Sequence, residues 1–224
     1  MPNTNSIPVF IIMHDLYTWP RLMAEHIAQL PGARPIFVDN ASTYPLLLEY
    51  YETCPFEVIR LPQNIGHHAP WDAFLIESRT DDLYVVTDPD LDISSVPLDV
   101  LVRLEAGLKS HPTVSKAGLS IEINDIPLDY VKREQVLEWE TPFWSRPLPD
   151  GRWYDAPIDT TFAMYSIHKG WPGGFLGAVR AERPYTVRHL PFYLTRENVS
   201  DEYRYYMEHA SVVSSSSQYL RGVL

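Results

Sequence analysis

Four short apolar runs, each followed by a stretch with helical spacing, set the strongest limit on how this chain can fold. The first is Val9-Phe10-Ile11-Ile12-Met13, unbroken in its apolarity, as in strands buried on both faces. Thr18 and Pro20 mark a helix start behind it, with Leu22, Met23, Ile27 and Leu30 at helical spacing and Pro31-Gly32 as the stop. The rhythm then repeats. Residues 35–38 predict a second strand ending in Asp39-Asn40, and Thr43 and Pro45 open a helix carrying Leu47, Leu48 and Tyr51. Residues 56–59 predict a third strand, followed by a shorter helix over 70–76. Residues 83–86 predict a fourth, and Ser95 and Pro97 open a helix with Leu98, Leu101, Leu104 and Leu108 on one face. This alternation predicts an α/β domain with a mainly parallel central sheet flanked by helices. In such sheets ligands gather at the C-terminal strand ends, where His14, Asp15, Asp39, Asn40, Asp88 and Asp90 all fall.

The second half has a different grain. Leu119, Ile121 and Ile123 alternate with Ser120, Glu122 and Asn124, which predicts a strand with one face exposed. Residues 138–158 are rich in tryptophan, proline and acids and read as a long ordered loop. Strands are expected over 161–165 and 185–190, and Ser200, Asp201 and Glu202 form the acidic start of a helix reaching His209. The serine run 214–217 marks residues 211–224 as a mobile tail. A length of 224 residues suits one domain.

Eighteen basic against 29 acidic residues give a net charge of −11, which argues against nucleic-acid and anionic-membrane partners. Cys54 is the only cysteine, so no intrachain disulfide forms, as suits a reducing compartment. The first eight residues lack the layout of a signal peptide, and there is no apolar run of about 18 residues to span a membrane. The expected location is the cytoplasm.

The chemistry centres on Asp88-Pro89-Asp90. Residues i and i+2 of an extended chain point the same way, and Pro89 stiffens the segment between the two acids. Two carboxylates held close repel unless a cation lies between them. Hard oxygen donors suit Mg²⁺ or Mn²⁺, with phosphate oxygens completing the shell. A divalent ion also explains how an acidic protein would accept a diphosphate, because it inverts the local field. Asp39 and Asn40 stand where a side chain can accept hydrogen bonds from a base or ribose, although both residue types also cap turns. In the segment 64–71, Gly66 allows close backbone approach to a ligand. Either His67 or His68 could donate to phosphate or ligate a metal, but adjacent histidines are expected to point in different directions, so a shared ion is not anticipated there.

In order and spacing, Val38-Asp39-Asn40-Ala41-Ser42-Thr43, Asn64-Ile65-Gly66 and Asp88-Pro89-Asp90 resemble a glycosyltransferase of the GT-A (Rossmann-like) fold, most like family 2. The resemblance covers about the first 110 residues. It implies that Asp39 contacts the nucleotide base or ribose and that Asn40, Asn64 and Gly66 lie near the nucleotide. It implies Asp90 as direct metal ligand and Asp88 as a ribose or water-mediated partner. A histidine from the C-terminal part often completes the shell in such enzymes, and His189 stands at that rough position. Residues from about 8 to 110 would then bind the nucleotide sugar, and those from about 111 to 210 the acceptor. The chain departs from the family in lacking a Glu-Asp pair after residue 140 and the Gln-x-x-Arg-Trp signature of processive synthases.

The implied reaction moves one sugar from a nucleoside-diphosphate donor to a carbohydrate or other hydroxyl acceptor. An inverting transfer needs a carboxylate base. Asp159, then Asp155, are the candidates, since they flank Ala-Pro-Ile just before a strand. Glu122 is a further candidate for acceptor binding, and Trp139, Trp144, Trp153 and Trp171 are expected around that region. The rivals are a nucleotidyltransferase, for which the chain lacks a Gly-rich basic loop, and a non-catalytic carbohydrate-binding protein, which leaves the strand-end acids unexplained.

Overall fold

The computed structural model describes residues 6–169 and 177–209. The expected mobile tail and Trp171 lie outside the described residues. The first half runs β1 (Ile7–Met13), α1 (Thr18–Ile27), β2 (Ala33–Asp39), α2 (Pro45–Tyr51), β3 (Glu57–Arg60), α3 (Ala69–Asp72), β4 (Leu83–Thr87), β5 (Leu91–Asp92) and α4 (Val100–Ser110). The second half adds β6 (Lys116–Gly118), β7 (Ser120–Ile121), α5 (Arg133–Glu140), β8 (Trp153–Asp155), β9 (Ala163–Ser166), β10 (Ala178–Ala181), β11 (Thr186–His189) and α6 (Asp201–His209).

Eight strands form one sheet in the order β3-β2-β1-β4-β9-β6-β10-β8. The pairs β1–β2, β1–β4, β2–β3 and β6–β10 are parallel; β9 runs antiparallel to both β4 and β6, and β8 antiparallel to β10. The sheet is thus mostly parallel within a mixed α/β architecture. A small second sheet, β5-β11-β7, lies beyond the C-terminal end of β4.

The strand alternation explains why β1 is apolar throughout. Val9, Ile11 and Met13 join Phe37 and Val85 on the face covered by Met23 and Ile27 of α1, Leu47 of α2 and Leu104 and Leu108 of α4. Phe10 and Ile12 join Ile36, Val38 and Val86 on the other face, under Ala69, Trp71 and Ile76. Trp153 is buried so close to α4 that a Cβ on Gly107 would stand 2.5 Å from its ring. Cys54 is a free, half-buried thiol packed against the core. No described helix is long and apolar enough to cross a membrane.

Several expectations are corrected. The helix over 70–76 shortens to the single turn α3, because Phe74 takes a left-handed φ of 54° that ends it. Leu98 precedes α4 and is 56% exposed, leaving Leu101, Leu104 and Leu108 as the buried stripe. Ser120 does not face solvent: it is buried and donates its hydroxyl to the Ala181 carbonyl at 2.7 Å. The stretch 138–158 is not one loop but holds the end of α5, a 3-10 turn over Thr141–Trp144 and β8. A buried ion pair between Glu140 and Arg180, 3.0 Å long, ties it to β10.

Candidate functional site

A cleft of about 410 Å³ opens over the C-terminal ends of β1, β2 and β4. Its walls include His14, Asn40, Asn64, Gly66, His67, Asp88, Asp90, Asp159 and His189, so residues singled out at distant points of the sequence share one cavity. Asp39 and Asp155 are not among its lining residues.

The second sheet brings Asp90 and His189 together. β11 pairs antiparallel with β5, placing His189 opposite Leu91, and the Leu190 N–H donates to the Asp90 carbonyl at 2.9 Å. His189 Nε2 then stands 3.4 Å from Asp90 Oδ2, with its ring edge-on to Phe192. Asp90 Oδ1 and His189 Nδ1 are buried and have no hydrogen-bond partner among the described residues. Burial alone would lower the His189 pKa, but the Asp90 carboxylate, helped by Asp88, raises it.

Asp88 sits deeper. Its Oδ1 accepts from the Thr160 hydroxyl at 2.6 Å, and its N–H donates to the Thr160 carbonyl at 3.0 Å. Burial, with the Asp90 charge alongside, pushes the Asp88 carboxyl up to about 7. A carboxyl whose ionisation is opposed by burial and by a neighbouring carboxylate is a fit for a divalent cation, which would favour its charged form. The Asp90 oxygen left without a partner among the described residues could supply a hard donor, and His189 an imidazole nitrogen.

Asn40 pins the wall formed by Asn64 and Gly66. Its amide donates to the Gly66 carbonyl, and its Oδ1 accepts from the Ile65 N–H, both at 3.2 Å. Asn64 Oδ1 accepts from the Gly66 N–H at 2.9 Å. Gly66 adopts φ +87°, an angle that favours glycine, and a Cβ there would meet no protein atom within 4 Å. Asp39 is fully buried, its oxygens accepting from the Ser42 N–H and the Arg60 Nε at 3.1 and 3.2 Å. Asp15, with φ 51°, accepts from the Thr43 and Tyr44 N–H groups at the start of α2. These two acids hold the strand ends in shape.

Asp159 is 60% exposed at the rim, its carbonyl held by Lys116 Nζ and the Tyr165 hydroxyl. Burial pushes the Lys116 amine down to about 8. Asp155 instead faces Arg146 across 2.6 Å. The expected divergence of His67 and His68 is overturned: their ring centres lie 4.1 Å apart, because the left-handed Gly66 and the turn into α3 fold both toward Asp159. Among the described residues, His67, His68 and Asp159 are the one group whose possible ligand atoms all lie within 4.8 Å of one another. Burial and the neighbouring His67 lower the His68 pKa.

Glu122 is gripped by Arg183 through contacts of 2.9 and 2.8 Å and lines a different depression with Asp125 and Arg188. Trp139 is 60% exposed, Trp144 lies under Arg183 and Trp153 is core; none lines the cleft. Thr160 and Tyr206 do line it, and local pattern carries no signal for either.

No protein-family profile matches the sequence, and no curated protein matches it. Among solved structures the chain is similar to the crystal structure of GalNAc-T7 with UDP, GalNAc and Mn²⁺, at 14% identity and a TM-score of 0.39 over 53% of this chain. The chain covers 23% of that protein's length. A likeness this slight carries no argument, and the functional reading rests on the cleft.

Proposed function

We propose that this protein is a GT-A-type, metal-dependent glycosyltransferase that moves one sugar from a nucleoside-diphosphate sugar to an acceptor hydroxyl, with inversion. The observation that carries this reading is the meeting of Asp90 with His189 beside Asp88, in a cleft whose opposite wall is the Asn40–Asn64–Gly66 turn. Asp90 and His189 would hold Mn²⁺ or Mg²⁺, and Asp88 would support them or meet the ribose. When bound, the ion neutralises charge on the departing diphosphate.

The chain's own residues would do the rest. Asn40, through Gly66, fixes the turn against which the nucleotide lies. Asp39 shapes that wall by fixing the Ser42 turn and Arg60, which narrows its role from the nucleotide contact implied by the resemblance. Asp159, exposed at the rim, would accept the proton of the acceptor hydroxyl as its oxygen attacks the anomeric carbon. Asp155, held by Arg146 outside the cleft, is the weaker candidate.

The test is calorimetric titration of a panel of nucleotide sugars with and without Mn²⁺ or Mg²⁺, followed by assay of slow donor hydrolysis. Metal-dependent binding of at least one donor is expected. Absence of such binding across the panel overturns the proposal.

A further inference from the structure

We propose that His67, His68 and Asp159 form a second metal site at the rim of the cleft, one that takes an imidazole-preferring divalent ion such as Zn²⁺. Their possible ligand atoms lie within 4.8 Å of one another, and His67 Nε2 stands 3.8 Å from Asp159 Oδ1. Ligand atoms bound tetrahedrally to one zinc at 2.0–2.1 Å are separated by about 3.4 Å. Small rotations of exposed side chains cover the difference, with His67 56% and Asp159 60% exposed.

The backbone beneath the three ligands is already anchored. On one side, Asn40 and Asn64 hold the turn at Gly66 that precedes the histidines. On the other, Lys116 and Tyr165 hold the Asp159 carbonyl, and the next residue, Thr160, is bonded to Asp88. Ligands carried on fixed supports lose little freedom on binding. Two imidazoles and one carboxylate favour Zn²⁺, Co²⁺ or Ni²⁺ over Mg²⁺ or Ca²⁺. Three protein ligands leave a fourth position for water. The Lys116 ammonium opposes the ion, while the Asp72 and Asp159 carboxylates favour it.

The consequence for catalysis rests on the reading of Asp159 as base; the binding itself does not. An ion on Asp159 takes the lone pair that would accept the acceptor proton. Zn²⁺ would then inhibit transfer while donor binding through Asp90 persists.

The experiment titrates metal-free protein with Co²⁺, reads the visible d–d bands of a low-symmetry site, and displaces them with Zn²⁺. It compares the parent with His67→Ala, Asp159→Asn and Asp90→Asn, each checked for folding by circular dichroism. Removing even a supporting partner of a metal ligand costs about 10–100-fold in affinity, so His67→Ala and Asp159→Asn should each weaken Zn²⁺ binding at least about tenfold. In Asp90→Asn the part of the Zn²⁺ binding that depends on His67 and Asp159 should persist, while any Zn²⁺ held by the Asp90–His189 pair is lost. A parent without Zn²⁺-displaceable bands overturns the proposal, as does parent-like affinity in His67→Ala and Asp159→Asn. Zn²⁺ binding without any donor binding would remove the transferase reading and leave this site standing.

Discussion

Asp90 differs from the other strand-end acids in how little structure depends on it. Asp15 and Asp39 accept backbone N–H groups and are buried to within 1%. Asp90 Oδ1 has no hydrogen-bond partner among the described residues. Asp90→Asn should therefore fold and melt close to the parent, yet lose metal-dependent donor binding in calorimetry; retained binding would show that another residue is the ligand. Gly66→Ala tests the turn. With nothing within 4 Å of the added Cβ, only the left-handed φ is strained, and urea unfolding should read a loss of about 1–2 kcal/mol. At this scale much of the site was legible, because Asn40, Asn64, Gly66, Asp88 and Asp90 each follow or precede a strand whose pattern is plain. Thr160 was not, since its value lies in a bond to Asp88 across 72 residues of chain. The Asp39 contacts were hidden for a related reason: a strand-end carboxylate looks the same in sequence whether it faces a ligand or caps a turn.

Between elements, two long-range contacts do what local sequence does not. Tyr17, at the N-cap of α1, makes no side-chain cap, and Glu202 of α6 takes its place. Glu202 Oε1 accepts from the Tyr17 and Thr18 N–H groups, both at 2.9 Å, and Oε2 from the Thr18 hydroxyl. Glu202→Ala should cost about 1–2 kcal/mol, the usual worth of a helix cap, and loosen α6, bringing faster amide exchange in both helices. Slower or unchanged exchange would mean α6 is held by its aromatic contacts alone. The Glu140–Arg180 pair is the larger test. Both side chains are at most 5% exposed, so Glu140→Ala leaves a buried guanidinium over Phe143 without its carboxylate and should cost about 3–5 kcal/mol in chemical denaturation. The strand-helix rhythm of the first half was readable because each element carries its own apolar face. α5 escaped notice because its buried residues are Val136 and Glu140, and one of those is an acid whose burial is explained only by Arg180.

For the whole molecule, the acid cluster makes stability and metal binding respond oppositely to pH. Asp88 is held at about 7, above its unfolded value near 3.8, and His189 is also raised. A raised group binds its proton more tightly in the folded state. Its contribution is complete below the unfolded pKa and is lost as pH rises through the folded one. Metal-free protein should therefore lose stability between about pH 4 and 8 relative to Asp88→Asn, whose site holds no such proton. A divalent ion needs those same groups deprotonated, so its stabilising effect grows over the same interval. At a hundredfold excess over Kd a ligand adds about 2.7 kcal/mol, which for a chain of this size is a rise in Tm of about 5–11 °C. Thermal melts with Mn²⁺ and with chelator should thus separate by that margin at pH 8 and converge toward pH 5.5. In Asp90→Asn the two curves should stay together throughout. A parent separation that is the same at both pH values would mean that Asp88 and His189 do not release protons to the ion, and the acid cluster would then be structural.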